Sequence, residues 1–213
     1  MSTDNKTLAA KALLKAKAVF LRPSEPFTWA SGIKSPVYCD NRLLLGFPEI
    51  RAEIENILKE VIESQYPEVE VLMGTSTAGI PHAAIVAEKM GLPMGYVRSG
   101  NKDHGRGNRI EGADPRGKKT VIVEDLISTG GSVIEVAEAL REAGAEVLGI
   151  ASLFTYGLQK GIDRLAAANL KNVSITDFER LSAVALEENY ITAAEYKMVT
   201  AFRNDPNCNW FEA

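Results

Sequence analysis

Soft metal ligands are scarce in this chain. Among its 213 residues are two cysteines, Cys39 and Cys208, and two histidines, His82 and His104. The cysteines stand far apart with no CxxC or Cys/His spacing, which argues against a zinc site and against a disulfide scaffold. Long apolar runs are missing too. Nothing approaches the ~18 residues of a membrane span, so no membrane partner is expected. The first six residues include Asp4 and lack the apolar stretch of a signal peptide, so a cytoplasmic, reduced setting is expected. Neither sign of charge dominates: 24 basic against 28 acidic side chains leave a net charge of −4. Such a balance repels nucleic acid unless the basic residues cluster. No internal repeat and no linker-like stretch divides the chain. With 46% apolar and 24% charged residues it reads as folded rather than disordered. Its length suits a single α/β domain over 1–213, large enough to bury a sizeable core.

What is present is a rhythm. Leu8, Ala12, Leu13, Ala16, Val19 and Phe20 recur at helical spacing over 7–21, with lysines opposite. Residues 23–47 hold three prolines, two glycines and the aromatics Phe27, Trp29 and Tyr38, a pattern of short strands and turns. Pro48 opens a helix with Ile50, Ile54, Ile57, Leu58 and Val61 on one face. From residue 69 strands and helices alternate. Strands are predicted over 69–73, 93–97, 120–124, 146–154 and 173–176. Helices are predicted up to Met90, over 132–143 with a stop at Gly144, and over 162–169. Two last helices should each open with a capping box, Thr176 with Glu179 and Thr192 with Glu195. The polar stretch 98–118 shows no periodicity, and 126–132 reads as a loop. Alternation of this kind implies a mostly parallel sheet flanked by helices, with ligands beyond the carboxyl ends of its strands.

The strongest chemical signal is the run 124–132. An apolar strand ends in Glu124 and Asp125, followed by Leu126, Ile127, Ser128, Thr129, Gly130, Gly131 and Ser132. Glycines let backbone N–H groups converge on an anion, and the following helix start adds a favourable dipole. Two carboxylates beside an anion cradle make sense if they bind something else, such as sugar hydroxyls or a hydrated Mg²⁺. A plain glycine-led helix start would explain Ser132 but not the acidic pair. No Gly-Lys-Ser/Thr follows, so this is not a Walker A loop. The run 74–79 carries GxSxA, one residue short of a nucleophile elbow, with only His82 and His104 available as a base.

The run 124–132 closely resembles the signature of the type I phosphoribosyltransferases, which use 5-phosphoribosyl 1-diphosphate (PRPP). That resemblance implies that Glu124 and Asp125 hold the ribose hydroxyls and that Ser128 to Ser132 hold the 5-phosphate. It also implies the type I fold and a diphosphate-binding turn at 74–79. The stretch 96–105, with Arg98, Lys102, His104 and Gly105, resembles the catalytic loop of the orotate phosphoribosyltransferases within that family. By that likeness Arg98, Lys102 and His104 contact the diphosphate, Lys102, His104 and Asp125 carry the chemistry, and Ser128 reaches orotate. Mg²⁺ would be held mainly by PRPP and water, and the 98–109 loop would reach the neighbouring site of a homodimer. Residues 27–42 resemble the Ser-Gly-x-x-Ser-Pro stretch that forms a small hood over the base, so 1–47 are expected to supply an N-terminal helix and that hood. Tyr38 suits a pyrimidine ring, and Lys34 or Arg42 suits its carboxylate.

The chain departs from the family pattern in three places. Ala78 stands where many members have lysine, Ser99 where many have a second basic residue, and Phe154-Thr155-Tyr156 where many have arginine. The third departure leaves Lys34 or Arg42 as the candidate partner of the orotate carboxylate. A purine phosphoribosyltransferase shares the logic of 124–132 but not the hood or the Lys102-x-His104-Gly105 element. A regulator that binds PRPP without chemistry should carry an added DNA-binding helix pair, for which 7–21 is too short. Seven basic and three acidic residues fall between Arg98 and Lys119, so that segment is +4 and the rest of the chain −8. An acidic body with one basic loop suits a small polyanionic substrate, not a nucleic-acid track.

Overall fold

β-branched and leucine-rich runs bounded by helix caps form a six-stranded sheet in the computed structural model, which describes residues 3–28, 34–98 and 109–210. The chain begins with α1 (Thr3–Lys15), followed by β1 (Val19–Leu21), β2 (Phe27–Thr28), β3 (Lys34–Ser35) and β4 (Val37–Cys39). A 3-10 helix, Asn41–Gly46, leads into α2 (Pro48–Gln65). Then come β5 (Val71–Thr75), α3 (Gly79–Met90), β6 (Met94–Val97), β7 (Ile110–Gly112), β8 (Lys119–Ile127), α4 (Gly131–Glu142) and β9 (Glu146–Thr155). The chain ends with α5 (Gln159–Ala167), β10 (Asn172–Asp177), α6 (Phe178–Glu187) and α7 (Ala193–Asn204).

The sheet order is β10-β9-β8-β5-β6-β7, parallel throughout except for β7, which runs antiparallel to β6. Alternate side chains along its strands enter two cores, as period-2 geometry requires. Leu72, Val121, Val123 and Ala151 pack with α1, α2 and α3 on one face, whereas Val71, Met73, Ile122 and Ile150 pack with α4 and α5 on the other. Outside the sheet, β1 pairs with β4 and β2 with β3.

Several boundaries differ from those the periodicity predicts. The first helix stops at Lys15, and Lys17 turns the backbone to a positive φ of 52°. Val19–Leu21 leaves the helical register to pair with Val37–Cys39, where its β-branched and aromatic side chains are favoured. A strand at Ile110–Gly112 lies inside the polar stretch, with a single apolar residue to mark it. β8 continues through Glu124 and Asp125 to Ile127, because Leu126 and Ile127 pair with Phe154 and Thr155. The acidic pair therefore sits on rigid strand, and the loop shrinks to the residues before Gly131. The cap of α6 is Asp177, which accepts from the Arg180 N–H, while Thr176 is buried in β10. The capping box of Thr192 and Glu195 forms as predicted.

Candidate active site

The carboxyl ends of β5, β6, β8 and β9 gather the chemistry-bearing residues. Glu124 is buried, and its Oε1 accepts from the Thr75 hydroxyl at 2.7 Å and from the Asp125 N–H at 2.9 Å. Burial, and next Asp125 beside it, push the Glu124 carboxyl from the ordinary 4.5 up to about 8. Asp125 is half-buried. The two acids thus differ: one is a proton-retaining anchor, the other an accessible carboxylate.

Thr75 reaches Glu124 because α3 starts unusually close to β8. A Cβ on Gly79 would lie at 2.4 Å from both the Thr75 hydroxyl and the Val123 carbonyl, so only glycine fits there. Beyond β8, Gly130 takes a left-handed φ of 73° as the N-cap of α4 and supplies no capping side chain. The first-turn N–H groups of α4 are left for an anion, with Ser128, Thr129 and Ser132 around them. From α5, the Arg164 guanidinium lies 3.3 Å from where a Cβ on Gly131 would stand, a cation that sequence spacing did not single out.

The 74–79 turn does not carry a hydrolase nucleophile. The Ser76 hydroxyl donates to the Val97 carbonyl at 2.7 Å and so ties the end of β5 to the end of β6. His82 is fully buried, with Nδ1 2.5 Å from Glu55 Oε1 of α2. It is a core link between α2 and α3. Replacing Glu55 with leucine strands the imidazole in the core and should lower stability by about 3 kcal/mol. Urea denaturation checks this, and a loss within about 0.5 kcal/mol would remove the pair from the stability argument.

Among the residues expected to serve the base, Arg42 is held by Asp40 through two contacts of 2.6 and 2.8 Å, and that guanidinium keeps the Asp40 carboxyl below its usual range. Lys34 is exposed on β3. The Tyr38 and Phe27 rings lie 5.5 Å apart. Arg98 follows β6, donates its backbone N–H to the Arg109 carbonyl and pairs with Glu111 at 3.2 Å. Trp29, Ser99, Lys102 and His104 lie outside the described residues. Asn41, which sequence reasoning left without a role, donates to the Asp125 carbonyl at 2.6 Å. A cleft of about 520 Å³ opens between α5 and β10, lined in part by Ser128, Tyr156 and Ser174, but Glu124 and Asp125 do not line it.

Glu124 is expected to make the folded protein sensitive to alkali. Its folded-state value lies above the unfolded one, so its stabilisation is complete below about pH 4.5 and is lost as pH rises through about 8. Between about pH 5 and 9 the ligand-free protein should lose on the order of 4 kcal/mol on this account. Glu124→Gln should flatten that part of the stability profile, measured by denaturant midpoints at each pH. An unchanged slope in the variant would assign the effect elsewhere.

Among the described residues no group of three or more His, Cys, Asp or Glu could hold a metal ion. One accessible carboxylate, Asp125, beside an anion cradle fits a Mg²⁺ that arrives on substrate phosphates and keeps its waters. No described helix is long and apolar enough to cross a membrane.

A family model described as the phosphoribosyl transferase domain matches residues 44–188. The chain is 55% identical over 201 residues to the orotate phosphoribosyltransferase of Listeria monocytogenes serotype 4b (strain F2365), covering 94% of this chain and 96% of that one. It is 52% identical over 208 residues to the orotate phosphoribosyltransferase of Bacillus subtilis (strain 168), covering 97% and 96%. Among solved structures, orotate phosphoribosyltransferase from Aeropyrum pernix superposes with a TM-score of 0.74 at 31% identity, covering 86% of this chain and 99% of that one.

Proposed function

This chain belongs to the orotate phosphoribosyltransferases of the phosphoribosyl transferase family, and from that premise we propose how its own residues serve the reaction. The 5-phosphoribosyl group passes from PRPP to orotate, giving orotidine 5-phosphate and diphosphate, a pentosyl transfer of pyrimidine biosynthesis. The purine-directed and non-catalytic readings are set aside by the same relatives.

The bond from ribose C1 to the diphosphate breaks as the bond from C1 to orotate N1 forms. The ring becomes cationic and the leaving group anionic, so catalysis consists mainly of positioning and charge stabilisation. Glu124 and Asp125 hold the ribose hydroxyls, and Asp125 supplies the negative charge that faces the developing cation. Residues Ser128, Thr129, Gly130, Gly131 and Ser132 hold the 5-phosphate at the start of α4, with Leu126 and Ile127 fixing the turn against β9. Arg98, Lys102 and His104 neutralise the departing diphosphate. Mg²⁺ would be held mainly by PRPP and water, with Asp125 as a carboxylate that could bond its waters, and it would supply charge neutralisation for the leaving group. Orotate lies between Ser128 and the hood. We assign its carboxylate to Lys34 in preference to Arg42, because Arg42 is already held twice by Asp40. The protein works as a cytoplasmic homodimer in which the 98–109 segment of one protomer serves the site of the other.

The observation that carries this reading is the acidic pair near the end of β8, joined by a short hydroxyl-bearing turn to an uncapped, glycine-led helix start. The loss of orotate absorbance with PRPP and Mg²⁺ tests it. Turnover that requires both is expected. Consumption of adenine or hypoxanthine in place of orotate, or PRPP binding without turnover, would overturn it.

A further inference from the structure

The acidic pair sits on a strand that has lost a neighbour. The β5–β8 pairing ends at Gly74↔Val123, and β5 itself ends at Thr75, whose hydroxyl also lies 3.4 Å from the Val123 carbonyl. Carbonyls two residues apart in a strand leave by the same edge. The Asp125 carbonyl therefore points to the β5 side, beyond the last paired residue of β5. On the other edge β8 remains paired, through Leu126 with Phe154 and Ile127 with Thr155. One side of the pair is held by a ladder and the other by side chains.

The side chain at Asp125 is that of Asn41. Its Nδ2 donates to the Asp125 carbonyl at 2.6 Å across 84 residues of sequence. Asn41 is 1% exposed and opens the 3-10 helix after β4. Its amide has a defined orientation, because the buried Cys39 thiol lies 3.3 Å from Oδ1. Burial raises the Cys39 thiol well above its ordinary value, so it stays protonated and donates. That leaves Nδ2 to face Asp125.

We infer that Asn41 is a positioning residue for the sugar diphosphate: it replaces the missing β5 rung and holds Asp125 at the angle the ribose requires. The inference rests on the reading of Glu124 and Asp125 as the ribose ligands. It goes beyond that reading by placing a hood residue in the service of PRPP rather than of the base. A hood anchor alone would act differently, since its loss would loosen the cover over orotate and leave the sugar site intact.

The Asn41→Asp variant keeps size and shape but aims an acceptor at the Asp125 carbonyl. Steady-state kinetics with each substrate varied should show kcat/KM for PRPP falling about 10–100-fold, with the KM for orotate changed less than about threefold. Should Asn41→Asp fail to fold, Cys39→Ala and Cys39→Ser decide the matter. The alanine releases the amide and should show the same PRPP-selective loss in milder form, and the serine, which still donates, should restore it. No change in any variant, a rise confined to orotate, or a loss shared equally by both substrates would overturn the inference. Wild-type turnover of orotate is the control for the underlying reading. If it is absent the reading falls, and calorimetric PRPP binding to wild type and Asn41→Asp then still tells whether Asn41 weakens the sugar site.

Discussion

An enzyme carrying Asp125→Asn is expected to fold normally and to lose turnover by ~10²–10³, the cost of removing one well-placed charge from a site that stabilises a developing ion. The effect should exceed that of altering Glu124, because the two carboxyls are not equivalent. Glu124 is buried and holds its proton up to about pH 8, with the Thr75 hydroxyl on its Oε1. Asp125 is the half-buried member that can present negative charge to the sugar ring. The variant carries a second signature. Asp125 is the largest contributor, after burial, to the upward push on Glu124, so its removal should shift the alkaline loss of stability to lower pH. Steady-state kinetics and pH-dependent denaturation read the two effects separately. A loss of turnover below about tenfold would move the electrostatic burden off Asp125.

The parts of this site that were legible in the sequence are those written in consecutive residues. Glu124 to Ser132 form one local grammar, strand, acids, hydroxyls and glycines, and the helix start at Gly131 follows from it. What was not legible depends on partners far along the chain. The Thr75 hydroxyl meets Glu124 across 49 residues and Asn41 meets Asp125 across 84, and no periodicity carries such information. Length misleads in a different way. Val19–Leu21 has three residues, too few to show a period, and its apolar side chains also fit the preceding helical stripe. Glu124 and Asp125 looked like the end of a strand because they are polar, yet Leu126 and Ile127 continue the pairing with β9. The alternation of elements that dictates the parallel sheet needed none of this. It is set by buried runs such as Val71–Thr75, which register as strands wherever they pair.

Asn41, Thr75 and Gly79 share a purpose that the motif alone does not reveal. Each lies outside the signature, and each constrains the backbone or the carboxyl of the acidic pair from the β5 side. The acidic pair is thus carried by β8 but held by Asn41 of the 3-10 helix, by β5 and by the start of α3. A residue that bears charge is useful in catalysis only while its supports keep it within a fraction of an ångström of the productive position.

Lys102→Ala should lower kcat by ~10²–10³ while leaving thermal stability unchanged, because its proposed task, neutralising the departing diphosphate, exists only as the bond to C1 breaks. Arg98 gives the comparison. Its guanidinium is already paired with Glu111, whereas its backbone N–H would keep the Arg109 carbonyl in any variant, so Arg98→Ala should lower the rate and cost at most about 1 kcal/mol of stability. The pairing of protomers gives a sharper reading. If the 98–109 segment serves the partner's site, mixing Lys102→Ala with Asp125→Asn protomers creates hybrid dimers with one site that has both residues intact. Random exchange makes half of the dimers hybrid, each with one working site, so about a quarter of wild-type turnover should return. If the segment serves its own protomer, every site in the mixture keeps one defect and turnover stays at the level of the parents. Recovery therefore tests the role of Lys102 and the shared site together. A mild effect of Lys102→Ala alone would already remove this lysine from the diphosphate.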